Sequence, residues 1–168
     1  WNGIIGDIFL EAKEPLHLAG VQVYPDAEKK SVRLKVRLAS PEDIRNRMQL
    51  EVRATAWNTK KEHHARPLKF GLEKGQAEYD FDFPLGEEAL LWSEYDPALY
   101  RLEVELPEYD RLSVDFGLRD FRAEGKHFAI NGMTTFLRGK HDACVFPLTG
   151  HTAMDVETWR HYFRGAQS

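Results

Sequence analysis

The chain has 168 residues, 42% apolar and 30% charged, with 23 Lys and Arg against 27 Asp and Glu for a net charge of −4. A chain of this size buries roughly 70% of its unfolded surface without metal or disulfide staples, and the composition excludes a disordered or low-complexity segment. The mild negative charge argues against a nucleic-acid or anionic-membrane partner, one cysteine (Cys144) permits no internal disulfide, and no apolar run reaches the ~18 residues of a membrane span.

The chain opens at Trp1 without Met. Residues 1–11 read as a strand with an Asn2-Gly3 turn and a Gly6-Asp7 break. A weak strand follows over 17–24, and residues 26–30 read as a polar loop. Over 31–38, Val32, Leu34, Val36 and Leu38 alternate with Arg33, Lys35 and Arg37. Successive strand side chains point to opposite faces, so this pattern predicts a half-buried strand. The same alternation predicts strands over 50–56, 77–83, 100–106 and 112–118. Residues 60–66 read as a second polar loop. Glu124-Gly125 and Asn131-Gly132 predict turns before short strands over 128–130 and 134–137. Residues 155–164 read as a helix, with Asp155 as N-cap and Val156, Trp159, Tyr162 and Phe163 on one face.

Seven or eight short strands with polar outer faces indicate antiparallel sheets with one wet side. The predicted fold class is all-β: an immunoglobulin-like antiparallel β-sandwich with a short C-terminal helix. The amphipathic helix needs a partner surface. Together with the opening strand, it suggests a piece of a larger protein.

The seven histidines invite a metal reading. His63 and His64 are adjacent, but zinc sites need ligands at helix or hairpin spacing with carboxylate or thiolate help. No such motif is present, so a polar hairpin tip is favoured and no metal or cofactor is expected. His141, His151 and His161 recur every ten residues, a spacing that no element places on one face. Cys144 lies among Ala143, Val145, Phe146 and Pro147, an apolar setting that favours a buried structural thiol over a nucleophile. Glycosidic hydrolysis needs two carboxylates facing each other across a cleft. The pairs Glu87-Glu88, Glu103 with Glu105, and Asp80 with Asp82 instead fall on wet strand faces or strand ends. Trp57, Trp92, Tyr95 and Tyr100 are candidates for stacking on sugar rings. A packing cluster at a sandwich corner is the favoured reading of them. No complete catalytic constellation is visible.

Six stretches, in this order, resemble glycoside hydrolase family 2. The opening Trp1-Asn2-Gly3-Ile4-Ile5-Gly6-Asp7-Ile8-Phe9-Leu10 resembles the end of that family's sugar-binding jelly roll. Leu91-Trp92-Ser93 with Pro97-Ala98-Leu99-Tyr100-Arg101-Leu102 resembles its immunoglobulin-like domain. So do Phe116-Gly117-Leu118-Arg119, Phe128-Ala129-Ile130-Asn131-Gly132 and Phe136-Leu137-Arg138-Gly139. Asp155-Val156-Glu157-Thr158-Trp159 resembles the first helix of the (β/α)8 barrel.

The resemblance implies three parts: residues 1–12 as the last jelly-roll strand, 13–139 as the sandwich, and 140–168 as the start of a catalytic barrel. It implies intramolecular partners in the jelly roll and barrel, and a parent that hydrolyses terminal β-glycosidic bonds of carbohydrates, as β-galactosidases and β-glucuronidases do. It also implies that the two catalytic glutamates lie beyond this chain, so the chain alone is expected to be inactive. Where the family continues after Arg-Gly with an Asn and then a His, this chain has Lys140-His141-Asp142-Ala143. Those substrate contacts are not carried over. His141 and Asp142 stand as candidates for the active-site rim of the parent, beside a plainer reading as a polar loop end. The alternative function is a stand-alone carbohydrate-binding or adhesion sandwich. The chain carries no signal of location, and the resemblance is compatible with a periplasmic or secreted parent.

Overall fold

The computed structural model describes residues 8–45, 47–139, 141, 146 and 148–167. The chain divides into two compact units, Lys13–Phe136 and a second made of Trp1–Ala12 with Leu137–Ser168.

The larger unit is built by period-2 alternation. Strands β1 (His17–Asp26), β2 (Ser31–Ala39) and β5 (Glu78–Pro84) form one antiparallel sheet in the order β1-β2-β5. Strands β3 (Gln49–Ala56), β4 (Leu68–Gly71), β6 (Tyr100–Leu106) and β7 (Asp110–Phe116) form a second, in the order β4-β3-β6-β7. On β2, Val32, Leu34, Val36 and Leu38 are buried while Arg33, Lys35 and Arg37 are exposed. The facing sheet contributes Leu50, Val52, Leu102, Val104 and Leu106 to the same core. Two facing layers of β-branched and aliphatic side chains exclude water between them, and this burial stabilises the sandwich.

Both open sides of the sandwich are closed by specific contacts. On one side, the Leu18 N–H of β1 donates to Asp110 Oδ2 of β7 at 3.0 Å. On the other, Phe70 of β4 stacks on Phe81 of β5 with centroids 4.2 Å apart and meets Tyr79 edge-on. The Tyr79 hydroxyl also accepts from Glu73 N–H and donates to Glu73 C=O, which clasps the β4–β5 connection.

A third antiparallel sheet holds β8 (Phe121–Glu124), β9 (His127–Ile130) and β10 (Met133–Thr135), with β9 central. Its second turn is Asn131-Gly132, with φ of 51° and 76° between the paired residues Ile130 and Met133. Two positive φ values define the type I′ hairpin turn expected of Asn-Gly. Register places Phe121, Ile130 and Met133 side by side, with Phe128 on the same face.

In the smaller unit, residues 8–11 form no strand, which corrects that part of the expected first strand. Ile8, Phe9 and Leu10 are exposed. The Asn2-Gly3 turn and the Gly6-Asp7 break lie outside the described residues, as do Asp142 and Cys144. Helix α1 (Val156–Gln167) starts where expected. The Asp155 carboxylate caps it, accepting from Thr158 N–H and from Thr158 Oγ1, each at 2.8 Å. The Thr158 N–H bond is the main reason the Asp155 pKa lies below its ordinary value. On the apolar stripe, Trp159 meets Phe146 edge-on and stacks on Phe163, while Val156 and Phe163 stay largely exposed. Among the described residues, no helix is long and apolar enough to cross a membrane.

Candidate functional site

The aromatic residues separate into different roles. Tyr100 opens β6 and is fully buried. Its hydroxyl accepts the Leu90 N–H at 2.8 Å and pairs with His63 Nδ1 at 2.9 Å. A neutral imidazole accepts the hydroxyl proton there. A tyrosine at the start of this strand, here bonded back to backbone ten residues upstream, takes the place of the tyrosine corner of immunoglobulin-like sandwiches. This burial excludes sugar stacking by Tyr100.

Trp92 is half-buried against Gly117. A Cβ placed on Gly117 would lie 2.9 Å from Trp92 Cδ1 and 3.0 Å from both its Cβ and Cγ. The Arg119 guanidinium covers the Trp92 ring at 4.6 Å. Arg101 covers Trp57 at 5.0 Å while holding Asp115 through two 2.9 Å bonds. Tyr95, at 81% exposure, is the remaining member of the four and stands at the tip of a tight loop. That loop is closed by Ser93 N–H to Asp96 C=O and by Asp96 N–H to Ser93 Oγ, both at 3.0 Å.

Of the paired carboxylates, Asp80, Glu103 and Glu105 meet arginines on the outer faces, and Glu87 meets Lys30. Arg33 grips Asp80 through two bonds, at 2.6 and 2.8 Å. On the four-stranded sheet, Lys69, Glu51, Arg53, Glu105 and Arg111 form a continuous ladder of ion pairs, joined at its end by Glu103. Bonding to Arg33 holds the Asp80 pKa below the ordinary carboxylate value, and bonding to Lys69 does the same for Glu51. A general acid needs the opposite environment, one that raises its pKa.

His63 corrects the expectation of a wholly polar loop tip. Residues 63–65 extend the pairing of β3, with Ala56 N–H to His63 C=O and Ala65 N–H to Ala54 C=O, both at 2.9 Å. One imidazole therefore turns in towards Tyr100, and the next, His64, turns out to Thr55 Oγ1. Burial depresses the His63 pKa below 6.5, and repulsion from His64 adds to this against the pull of Glu88. The folded chain thus binds this proton less readily than the unfolded chain. Its contribution to stability is full above about pH 6.5 and is lost as pH falls below that value towards the folded pKa. Urea midpoints should drop between pH 7.5 and 5.5 in the wild type. His63→Gln should have a visibly flatter slope over this window, and equal slopes would reject the assignment.

Of the two candidate rim residues, His141 is exposed and Asp142 lies outside the described residues. Sequence reasoning missed the pairing of Trp92 with Gly117, which are 25 positions apart and share no local pattern.

Two facing sheets of three and four strands, joined through a tyrosine corner, define an immunoglobulin-like β-sandwich. Residues 16–119 match the profile of glycosyl hydrolases family 2, and the chain belongs to that family. No curated protein matches it. Among solved structures, a family 2 member from Bacteroides cellulosilyticus is 21% identical, with a TM-score of 0.54, covering 73% of this chain and 17% of that one. Ruminococcus gnavus β-glucuronidase is 15% identical, with a TM-score of 0.61, covering 89% of this chain and 23% of that one. The same enzyme in complex with D-glucuronic acid gives 15% identity and a TM-score of 0.60, with coverage of 89% and 24%. At these identities the likeness is one of fold. The chain spans about a fifth of the length of these structures.

Proposed function

We propose that this chain is the non-catalytic, immunoglobulin-like linking part of a family 2 glycosidase, and that the whole enzyme hydrolyses terminal β-glycosidic bonds. The observation that carries this reading is the apolar face of the third sheet. Phe121 and Phe128 stack at 5.5 Å yet are 46% and 43% exposed, and Met133 on the same face is more exposed still. A contiguous apolar face beside an already closed core marks an interaction surface. The exposed stripe of α1 supports the same reading.

In this proposal residues 1–12 belong to a preceding sugar-binding jelly roll, 13–139 to the sandwich, and 140–168 to the start of a catalytic barrel. His141 and Asp142 then lie near the rim of the sugar site. The sandwich holds barrel and jelly roll in fixed register. Such rigidity matters because a misplacement of about 1 Å can cost about 10²-fold in rate. The chemistry of the whole enzyme is a two-carboxylate displacement through a covalent glycosyl intermediate.

The purified chain should not cleave nitrophenyl β-glucuronide, β-galactoside or β-mannoside. Turnover near the ~1–10³ s⁻¹ of ordinary enzymes would overturn the proposal. Saturable binding of free sugars tighter than millimolar would instead favour the stand-alone carbohydrate-binding module. The same glycoside panel, run on the full-length polypeptide, assigns the sugar.

A further inference from the structure

We propose that Asn131 is a positioning residue that locks the β8–β9–β10 sheet to the sandwich and so fixes the direction in which the chain leaves at Phe136. The proposal rests on the linking role above only in that such a role gives this direction its use.

The third sheet shares no ladder with the two sandwich sheets. It continues from β7 through residues 117–120, and Ala129 is its buried residue. Small sheets of three- and four-residue strands are marginal on their own, so a second attachment to the sandwich matters. Asn131 supplies that attachment. Its backbone N–H donates to Asp120 C=O at 2.9 Å, and its Oδ1 accepts the Asp120 N–H at 3.0 Å. Its Nδ2 donates to Trp92 C=O at 2.9 Å. The Trp92 N–H donates in turn to Leu118 C=O at 2.9 Å. The hairpin turn, the lead into β8 and the loop carrying Trp92 are thereby closed into one ring of hydrogen bonds.

Each feature of Asn131 is used. An amide offers a donor and an acceptor on one short side chain, whereas a carboxylate has no donor for Trp92 C=O. Asn also tolerates the left-handed φ of 51° that the turn requires. The anchor itself is fixed, because Gly117 lets the Trp92 ring lie against the backbone and Arg119 covers it.

Residual dipolar couplings of the 168-residue chain in one alignment medium test the lock. In the wild type, amides of β8, β9 and β10 should fit the same alignment tensor as those of β2, β3 and β6. Asn131→Gly keeps the backbone bond and the positive φ but removes both side-chain bonds. Its small-sheet couplings should leave the sandwich tensor while those of the sandwich stay on it. Asn131→Asp keeps the acceptor for Asp120 N–H and loses the donor to Trp92, and it should behave as Asn131→Gly does. Two tensors in the wild type, or one shared tensor in both variants, would overturn the proposal. The wild-type measurement stands even if a variant does not fold. Failure of the linking role would appear in the glycoside and sugar-binding assays and would leave these couplings unchanged.

Discussion

Tyr100→Phe should lower stability by about 1–3 kcal/mol, the cost of leaving a part-buried N–H without its acceptor. The ring stays, so packing against Phe116 at 5.5 Å is kept and the loss isolates the hydroxyl. The orphaned group is the Leu90 N–H, and His63 loses its partner at the same time. Tyr100→Ala adds a large cavity in a fully buried position and should cost about 3–5 kcal/mol in total, on the scale of other aromatic truncations. In a chain of this size, each kcal/mol corresponds to about 2–4 °C in Tm. Tyr95→Phe is the control, because its ring is solvent-exposed, and it should melt with the wild type. Equal midpoints for Tyr100→Phe and wild type would show that the corner does not hold the loop.

The second large effect is expected at Gly117. Gly117→Ala places a methyl carbon at 2.9–3.0 Å from the inner atoms of Trp92, closer than carbon atoms approach. Those atoms include Cβ and Cγ, which cannot swing aside as the tip of a flexible side chain would. The backbone or the whole indole must move, and overpacking of this kind costs about 1–3 kcal/mol. The cost is steric, because Gly117 does not have positive φ. Combining Gly117→Ala with Trp92→Ala should therefore cost less than the sum of the two single changes. A double-mutant cycle with no coupling would place the clash elsewhere.

The sequence made the sandwich readable wherever one strand face is wet and the other dry. β2, β3, β5 and β6 fall within a residue or two of the alternating segments, because one buried face imposes a strict period of two. Asn131-Gly132 and Asp155 were legible because each acts on backbone next to itself. β4 and β8 were not expected. β4 is four residues of edge strand behind a polar loop, too short for its two inward residues, Leu68 and Phe70, to establish a period, and every residue of β8 is exposed. The inward pairing of His63 is not legible because its partner lies 37 positions away and only the folded corner brings them together. Phe116-Gly117-Leu118-Arg119 carried the resemblance to the family as a bare string. The structure supplies its reason: a missing Cβ beneath Trp92 and a guanidinium above it.

The ladder of ion pairs on the four-stranded sheet also governs how this face looks from a distance. Each carboxylate in it lies within 4 Å of a guanidinium or ammonium, so the charges cancel in place. The residual field of such close pairs falls off faster than that of isolated charges, and salt at physiological strength screens what remains within about 8 Å. An ionic sugar or a charged domain approaching this face is neither drawn in nor turned away. Encounter on this side is governed by diffusion and shape, and its rate should be nearly indifferent to ionic strength.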